Sequence, residues 1–498
     1  MAESYFLGVD VGTSGVKAIL VSPEGDVASA AVTPLTLSTP RPGWAEQEPA
    51  AWWAAAVESM RAVRSARPHA AIAAIGISGQ MHSSVFLDRT GDVIRPALLW
   101  CDGRTTAECA EITEKVGGEE RLRELACNPA LEGFTLPKVL WLRRHEPQAY
   151  ARLTTVLLPK DYIRYRLTGV LATDPSDASA TLMYDTAQLR WSEEILRAVD
   201  VPMSIVPDVG ESAQVLGQVT AAAALVVGIP AGTPVVGGGA DNACGAAGVG
   251  ALSEGEVVSS WGTSGTVLAP LTSPRVDPAL RAHTFCHVAP NLWYMMGVVL
   301  SAGGAFSWYR EQLARELAGD ATAAQQLDAE AASVPPGADG VTFLPYLQGE
   351  RTPLRDAEAR GAFLGLSLAH TRAHLTRAVL EGITFALNDS LLILRALGIS
   401  PASLLLTGGG AKSPFLRTLQ AEIFGLPVTT VSREEGPAYG AALLAAVGAG
   451  AFPDIATAAR ATLQRAPLEH PKPGAHALYA EPYATYRSSV KAARPDRL

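Results

Sequence analysis

Cysteine is scarce in this 498-residue chain, and the cysteines that occur form no recognisable pattern. There are five, an odd number, and no two of them are spaced Cys-x-x-Cys. A disulfide scaffold or a thiolate metal site is therefore not expected. The N-terminus also lacks the basic and apolar regions of a signal peptide. These absences predict a cytoplasmic protein.

Long apolar runs and clusters of positive charge are missing as well. Residues 212–240 carry no charge, but glycine and proline interrupt them too often for a membrane span. The 40 Lys and Arg residues are outnumbered by 49 Asp and Glu residues, and no dense basic run stands out. Nucleic acid and membrane partners are therefore not expected, and small molecules are.

Three common motifs of nucleotide-binding and hydrolytic sites are absent. The chain has no Walker A spacing, no Gly-x-Gly-x-x-Gly fingerprint and no Gly-x-Ser-x-Gly nucleophile elbow. The sequence therefore does not predict a P-loop, a dinucleotide site or a serine hydrolase of the usual kinds.

A repeated tetrapeptide is the most informative feature that is present. Gly-Thr-Ser-Gly occurs at residues 12–15 and again at 262–265, each time between two short apolar runs. Glycine lets backbone N–H groups approach an anion, and threonine and serine add hydroxyl donors. Coincidence is the alternative, since these are common turn residues. The matching hairpin context favours two domains built on one plan, whose tips hold a polyphosphate between them.

Strand and helix patterns alternate along the rest of the chain, which indicates an α/β protein. A third glycine run, at residues 408–410, follows an apolar strand and precedes a helix predicted from residue 414 to 424. Each glycine loop alone is more often structural than functional. Together the three loops favour a nucleotide.

Two carboxylates stand at predicted strand ends. Asp10 directly precedes the first tip, where a carboxylate beside phosphates implies an intervening Mg²⁺, with an Asx turn as the structural alternative. Asp241 follows the glycine run at 237–239. It is either a helix cap or the general base of a phosphoryl transfer.

A polar cluster at residues 78–83 follows another predicted strand. A neutral histidine beside amide and hydroxyl groups suits recognition of a polyol. However, a lone histidine such as His82 is more often structural, and Met81 is compatible with a core position. By spacing alone the role of this cluster stays open.

Longer motifs resemble the FGGY family of carbohydrate kinases, in the family's order and over nearly the whole chain. Residues 133–142 look like the first family signature, and residues 361–366 with 374–381 look like the second. The resemblance implies an α/β fold of two duplicated actin-like, ribonuclease-H-like domains around a central cleft. It also implies ATP-dependent phosphorylation of a sugar hydroxyl.

The same resemblance implies roles for single residues. Asp241 matches the catalytic base, and Asp10 matches a catalytic residue near the metal and the phosphates. Met81, His82, Asp241 and Asn242 would surround the sugar. The implied ATP-binding residues are Gly12, Thr13, Ser14, Gly262, Thr263, Gly409, Gly410 and Ser413.

The segment Gln80-Met81-His82 is similar to that of family members that act on D-xylulose, whereas glycerol kinases carry an Arg-Glu pair there. The expected reaction is therefore transfer of the ATP γ-phosphate to the C5 hydroxyl of D-xylulose, with Mg²⁺. Cys101 and Ser83 depart from the usual pattern, which leaves another pentulose or pentitol, such as ribulose or arabinitol, as the alternative. An actin-like ATPase switch is a second alternative, although such a switch has no need of this sugar segment.

The expected domains are residues 1–236 on the sugar side, 237–470 on the ATP side and a helical C-terminal segment at 471–498. This last segment could pack back on the first domain or form a subunit contact. A homodimer is compatible with the sequence.

Overall fold

Two sheets, one from each half of the chain, organise the structure. The computed structural model describes residues 4–317, 319–433 and 435–493. The strands are β1 (Ser4–Val11), β2 (Gly15–Val21), β3 (Val27–Pro34), β4 (Glu46–Gln47), β5 (Ala71–Gly79), β6 (Val85–Leu87), β7 (Ala97–Leu98), β8 (Thr155–Leu157), β9 (Ala172–Thr173), β10 (Tyr184–Asp185), β11 (Arg190–Trp191), β12 (Asp208–Val209), β13 (Val215–Gln218), β14 (Pro234–Val236), β15 (Gly239–Ala240), β16 (Glu256–Trp261), β17 (Gly265–Leu271), β18 (His283–Cys286), β19 (Trp293–Val299), β20 (Thr342–Leu344), β21 (Ala362–Leu364), β22 (Ser403–Gly408) and β23 (Val428–Thr429).

Helices cover the faces of both sheets. They are α1 (Pro49–Ala66), α2 (Thr106–Val116), α3 (Glu119–Ala126), α4 (Thr135–His145), α5 (Pro147–Tyr150), α6 (Pro159–Thr168), α7 (Pro175–Ala178), α8 (Glu193–Ala198), α9 (Ala221–Val227), α10 (Asp241–Gly248), α11 (Gly303–Leu313), α12 (Ala323–Ala332), α13 (Arg372–Ala396), α14 (Gly409–Lys412), α15 (Pro414–Phe424), α16 (Pro437–Gly448), α17 (Ile455–Thr462), α18 (Ala475–Leu478) and α19 (Ala480–Ser489). Single turns of 3₁₀ helix lie at Ser179–Thr181, Met203–Ile205, Arg315–Leu317, Ala338–Gly340 and Val490–Ala493.

The two sheets repeat one strand order. In the first sheet, β1 lies between its antiparallel partner β2 and its parallel partner β5, and β3 follows β2. In the second sheet, β16 lies between antiparallel β17 and parallel β22, and β19 follows β17. The tetrapeptides at 12–15 and 262–265 form the tips of the equivalent hairpins. The predicted duplication is therefore confirmed in the sheet topology.

Alternation along β1 decides which of its side chains reach the junction of the two halves. Leu7, Val9 and Val11 pack into a core with α1 and α6 on one face of the sheet. Gly8 lies under α16 on the other face, and Asp10 shares that face because side chains alternate along a strand. Asp10 therefore lies at the C-terminal end of β1 on the inner face of the first sheet, which is the face that α16 covers.

Helix α16 belongs to the second half of the chain but packs on the first sheet. It contacts β1, β5 and α10 more extensively than any strand of the second sheet. The approach is close enough to require glycine, since a Cβ on Gly76 would lie 1.9 Å from the carbonyl oxygen of Ala441, and one on Gly440 would lie 1.9 Å from that of Cys244. The boundary after residue 236 stays a prediction, and β15 of the first sheet lies just beyond it.

The C-terminal helices pack on the second half of the chain and not back on the first domain, while a subunit contact stays a prediction. Tyr486 is fully buried and its hydroxyl lies 2.6 Å from that of Tyr346, while Tyr483 donates to Asp389 on α13 at 2.5 Å. An aromatic contact with Phe385 completes this cluster. Tyr483 and Tyr486, which need both burial and a polar partner, find their partners on α13 and in the loop after β20.

Among the described residues, no helix combines the length and the apolar character that crossing a bilayer requires.

Candidate active site

A cavity of about 220 Å³ lies where the two halves of the chain meet. Helix α10, the start of α16, the β16–β17 hairpin and the end of β22 enclose it. Its lining residues are Asp241, Asn242, Gly245, Ala246, Val249, Val258, Ser260, Thr266, Leu268, Thr407, Gly408, Gly436 and Pro437. The cavity therefore brings the predicted base to the strands that carry the second tip.

Asp10 is held on the inner face of the first sheet. It lies opposite Ser78 of β5, and Lys17 is its partner across the β1–β2 pair. Burial raises the pKa of Asp10 to about 6, while the Lys17 charge and the nearby Ser78 hydroxyl act in the opposite direction. Its Oδ1 is buried and has no hydrogen-bond partner among the described residues. A buried carboxylate oxygen without a donor is available to a cation.

Asp241 is the first residue of α10, directly after β15. Its Oδ1 accepts from the backbone N–H of Asn242 at 2.7 Å and from the Asn242 side-chain amide at 2.9 Å. Burial and the negative charge of Asp10 nevertheless raise the pKa of Asp241 to about 7. A carboxylate with such a pKa suits proton transfer near neutral pH.

The four predicted sugar-binding residues are brought together. The Asn242 side-chain amide, which donates to Asp241, also lies 3.4 Å from the Met81 sulfur. His82 follows Met81 and is buried, with a left-handed backbone at φ 67°. Its Nδ1 lies 2.6 Å from the carbonyl oxygen of Ala180, so Nδ1 donates and Nε2 is left as an acceptor.

His82 is neutral and rigidly held. Burial lowers its pKa to about 3. Its carbonyl oxygen accepts from the Thr135 hydroxyl at 2.9 Å and from the buried Lys138 ammonium at 3.1 Å, both on α4. Burial lowers the pKa of Lys138 to about 7. A fixed, neutral imidazole can accept a hydrogen bond from a hydroxyl of an uncharged ligand.

The first tip is tied to this polar region by side chains. Thr13 donates its hydroxyl to Oε1 of Gln80 at 3.0 Å and accepts from the Trp100 indole at 3.0 Å. The Gln47 amide donates to the Thr13 carbonyl oxygen at 2.8 Å. Gly12 donates its N–H to the Gly15 carbonyl oxygen, and Ser14, at the apex, is exposed.

The second tip rests on a helix through its backbone. The carbonyl oxygen of Gly262 accepts from the N–H of Gly303, and that of Thr263 accepts from the N–H groups of Ala302 and Gly304. Gly303 begins α11. The Thr263 side chain is exposed and makes no hydrogen bond among the described residues. Its hydroxyl is available to a ligand in the cleft.

The loop after β22 lies beside the second tip, because β22 pairs with β16 from residue 256 to 261. Gly409 begins α14, and Gly410 packs so closely on Trp261 that a Cβ would lie 2.8 Å from the indole. Ser413 caps α15 by accepting from the N–H of Leu416, and it also donates to Asp328 at 2.5 Å. The predicted ATP-binding residues therefore fall into two groups, at the first tip and around the second.

The sequence-based reasoning missed a buried segment that also reaches the site. Ser176 contacts the strand end before Asp241, and Ala180 contacts His82. A signal was present, because Asp174 followed by Pro175 is typical of a helix start. That signal predicts only a cap, since nothing in the sequence shows what the capped turn touches.

Two sheets of matched strand order with a cavity between them form the α/β fold of two duplicated actin-like, ribonuclease-H-like domains that the resemblance implied. Family comparison gives the particular group. Residues 5–248 match the N-terminal domain of the FGGY family of carbohydrate kinases, and residues 257–449 match its C-terminal domain. The chain belongs to this family, as the signatures indicated.

Individual relatives span nearly the whole chain. The xylulose kinase of Escherichia coli is 39% identical over 483 residues, which cover 97% of this chain and 96% of that protein. The crystal structure of a xylulose kinase from Rhodospirillum rubrum is 33% identical, covers 99% of each chain and has a TM-score of 0.90. A gluconate kinase from Lactobacillus acidophilus is 27% identical, with a TM-score of 0.92 and coverage of 99% of each chain.

Proposed function

We propose that this chain transfers the γ-phosphate of ATP to the C5 hydroxyl of D-xylulose, giving D-xylulose 5-phosphate. The observation that carries the proposal is the continuous contact from Met81 through Asn242 to Asp241. It joins the predicted sugar-binding residues to a carboxylate whose pKa suits a general base. The base in turn lines the cavity beside the second tip.

In this mechanism Asp241 accepts the proton of the terminal hydroxyl as the hydroxyl oxygen attacks the γ-phosphorus, and the bond from the γ-phosphorus to the β,γ-bridging oxygen breaks to release ADP. Asn242 holds Oδ1 of Asp241 through two hydrogen bonds and so fixes the direction of the carboxylate. The exposed hydroxyls of Ser14 and Thr263, one on each tip, make no hydrogen bond among the described residues and donate to the phosphates. Closure of the two domains excludes water that would otherwise take the phosphoryl group.

Asp10 is the residue proposed to hold Mg²⁺, and the structure fits that role. Its unpartnered Oδ1 offers one carboxylate oxygen beside the first tip. Mg²⁺ in kinases is bound through one or two carboxylates together with phosphates and water, so one carboxylate is enough. When bound, the ion offsets negative charge on the β- and γ-phosphates.

Two observations support D-xylulose as the acceptor. The Escherichia coli and Rhodospirillum rubrum relatives are xylulose kinases, and both match this chain over nearly its full length. His82, neutral and with Nε2 as an acceptor, suits an uncharged polyhydroxyl ligand. The gluconate kinase has the same fold, so the fold alone does not select the sugar.

Another pentulose or a pentitol is the second candidate, and the position of Ser83 bears on it. Its hydroxyl donates to Gln80 at 3.3 Å and accepts from the backbone N–H of Trp100 at 3.1 Å. Ser83 thus supports the sugar-binding segment through its contacts with Gln80 and Trp100. Cys101 is exposed beside Trp100. Discrimination between pentuloses depends on hydrogen bonds to single hydroxyls, which these supporting contacts adjust.

The test is ADP release from MgATP with D-xylulose, D-ribulose, arabinitol, gluconate, glycerol or no acceptor. Strong stimulation by D-xylulose alone is expected. Stimulation by a different acceptor would agree with the mechanism but would show that this acceptor, and not D-xylulose, is the substrate. Equal ADP release with and without every sugar would contradict the proposal and favour an ATPase switch. The cytoplasmic location and the homodimer stay predictions.

A further inference from the structure

A short buried segment contacts both the strand that precedes Asp241 and the sugar-binding residue His82. It comprises residues 174–181, which form α7 and the 3₁₀ turn Ser179–Thr181. Most of its residues, including Asp174, Ser176 and Ser179, are buried. Polar side chains are rarely buried so completely unless their hydrogen bonds fix something.

Asp174 is the anchor of this segment. Its Oδ2 accepts from the backbone N–H of Ser176 at 3.0 Å, from the Ser176 hydroxyl at 2.6 Å and from the Ser212 hydroxyl at 2.7 Å. Its Oδ1 accepts from the backbone N–H of Asp177 at 3.3 Å and lies 3.0 Å from the Lys160 ammonium. Both oxygens are therefore held by several donors, and the carboxylate is fixed.

Ser176 links the fixed Asp174 carboxylate to strand β15, which directly precedes Asp241. Its hydroxyl donates to Asp174, and its oxygen accepts the backbone N–H of Ala240 at 2.9 Å. Ala240 pairs with Gly79 of β5 and is followed directly by Asp241. The Ser176 hydroxyl thus supports the last peptide before Asp241.

The same segment supports the sugar side. The carbonyl oxygen of Ala180 accepts from Nδ1 of His82. Ser176 and Ala180 lie four residues apart on one short, buried element. The segment therefore sets the distance between the base and the histidine as well as the position of each.

We propose that Ser176, held by Asp174, is a positioning residue that places Asp241 against the sugar hydroxyl through the backbone of Ala240. The inference rests on the proposed function of Asp241 as the general base. Among the described residues, the hydrogen bonds of Ser176 run to Asp174, Ser179 and Ala240, none of which lines the cavity or forms a tip, so its effect is expected on the chemical step. Displacing a base by a fraction of an ångström to an ångström reduces turnover strongly without abolishing binding.

The experiment compares Ser176→Ala with Ser212→Ala in the full chain. Both changes remove one hydroxyl donor to Oδ2 of Asp174, but only the first removes the acceptor of the Ala240 N–H. Ser176→Ala is expected to lower kcat about 10²-fold with little change in KM for either substrate. Ser212→Ala is expected to change kcat far less. Faster hydrogen exchange at the Ala240 amide in Ser176→Ala alone would agree with this account.

Asp241→Asn, measured in parallel, separates the two proposals. If Asp241→Asn is inactive while the two serine variants have equal kcat, the positioning role is wrong and the base assignment stands. If Asp241→Asn retains turnover, the base assignment itself fails. A rise in KM at constant kcat in Ser176→Ala would also overturn the positioning role. Should the alanine variant not fold, Ser176→Cys keeps the volume with only a weak acceptor and carries the same prediction.

Discussion

The two hairpins share a tetrapeptide and a strand order, but they differ two residues before the first glycine. In the first hairpin this position is Asp10, a buried carboxylate with an unpartnered oxygen. In the second it is Ser260, which lines the cavity and carries no charge. The first sheet also leads through β15 to Asp241. Both carboxylates of the proposed mechanism thus come from the first sheet.

The tips also differ in what anchors them. The first is tied by the Thr13 side chain to Gln80 and Trp100, beside the sugar-binding residues. The second is supported through backbone bonds to the start of α11, which leaves the Thr263 hydroxyl exposed. In the proposed mechanism the two copies therefore contribute unequally. The first sheet supplies both carboxylates and its tip supports the sugar-binding residues, whereas the second tip offers an exposed hydroxyl to the nucleotide.

The largest effect is expected from removing the base on the first sheet. Asp241→Asn keeps the shape and the hydrogen bonds of the side chain but cannot accept a proton. We expect kcat to fall by about 10³-fold, within the usual range for general acid–base catalysis. Steady-state kinetics with D-xylulose and MgATP test this, with circular dichroism to check folding. Near-normal turnover would mean that the base lies elsewhere, and the division between the sheets would fail.

Substitutions at the equivalent positions Asp10 and Ser260 test directly whether the two hairpins contribute differently to activity. Asp10→Asn is expected to lower kcat/KM by on the order of 10²-fold, because a charge facing the metal and phosphates is lost. Ser260→Ala is expected to leave it nearly unchanged. The measurement is a Mg²⁺ titration of activity for both variants. Equal losses would show that the two hairpins contribute alike.

The pH dependence should follow Asp241, which acts only when it is deprotonated. Burial and Asp10 raise the pKa of Asp241 to about 7, so the active form is lost as the pH falls through that value. We expect kcat/KM to level off above pH 7, to fall about tenfold from pH 7 to 6, and to fall more steeply below pH 6, where Asp10, with a pKa of about 6, is protonated as well. His82, with a pKa of about 3, stays neutral throughout this range. A kcat/KM that is constant from pH 5 to 8 would contradict this assignment.

The smallest effects are expected at the tips themselves. Thr13→Ala removes two hydrogen bonds that hold Gln80 and Trp100, so KM for the sugar should rise about fivefold. Thr263→Ala should raise only KM for ATP, by a similar factor. Initial rates with each substrate varied in turn distinguish the two. If Thr13→Ala changes only KM for ATP, the tips have the same role.

The sequence predicted the repeated parts of the molecule well. The helix at 414–424 has the predicted bounds, because a proline at its start and a glycine after its end are local signals. The duplication was visible from two tetrapeptides. What depends on contact between distant residues was not visible. No spacing shows that Ser176 meets Ala240, or that Lys138 supports the backbone of His82, since both contacts exist only after the chain has folded.

The packing of α16 has a consequence for the order in which the chain can fold during synthesis. The inner face of the first sheet, at Gly8 and Gly76, is covered by residues 437–448. A nascent chain that has completed the first sheet therefore still exposes the apolar surface of that face. Such intermediates are prone to aggregate and to bind chaperones. Ribosome-bound chains ending before residue 437 should be protease-sensitive, and chains that include residue 448 should become resistant.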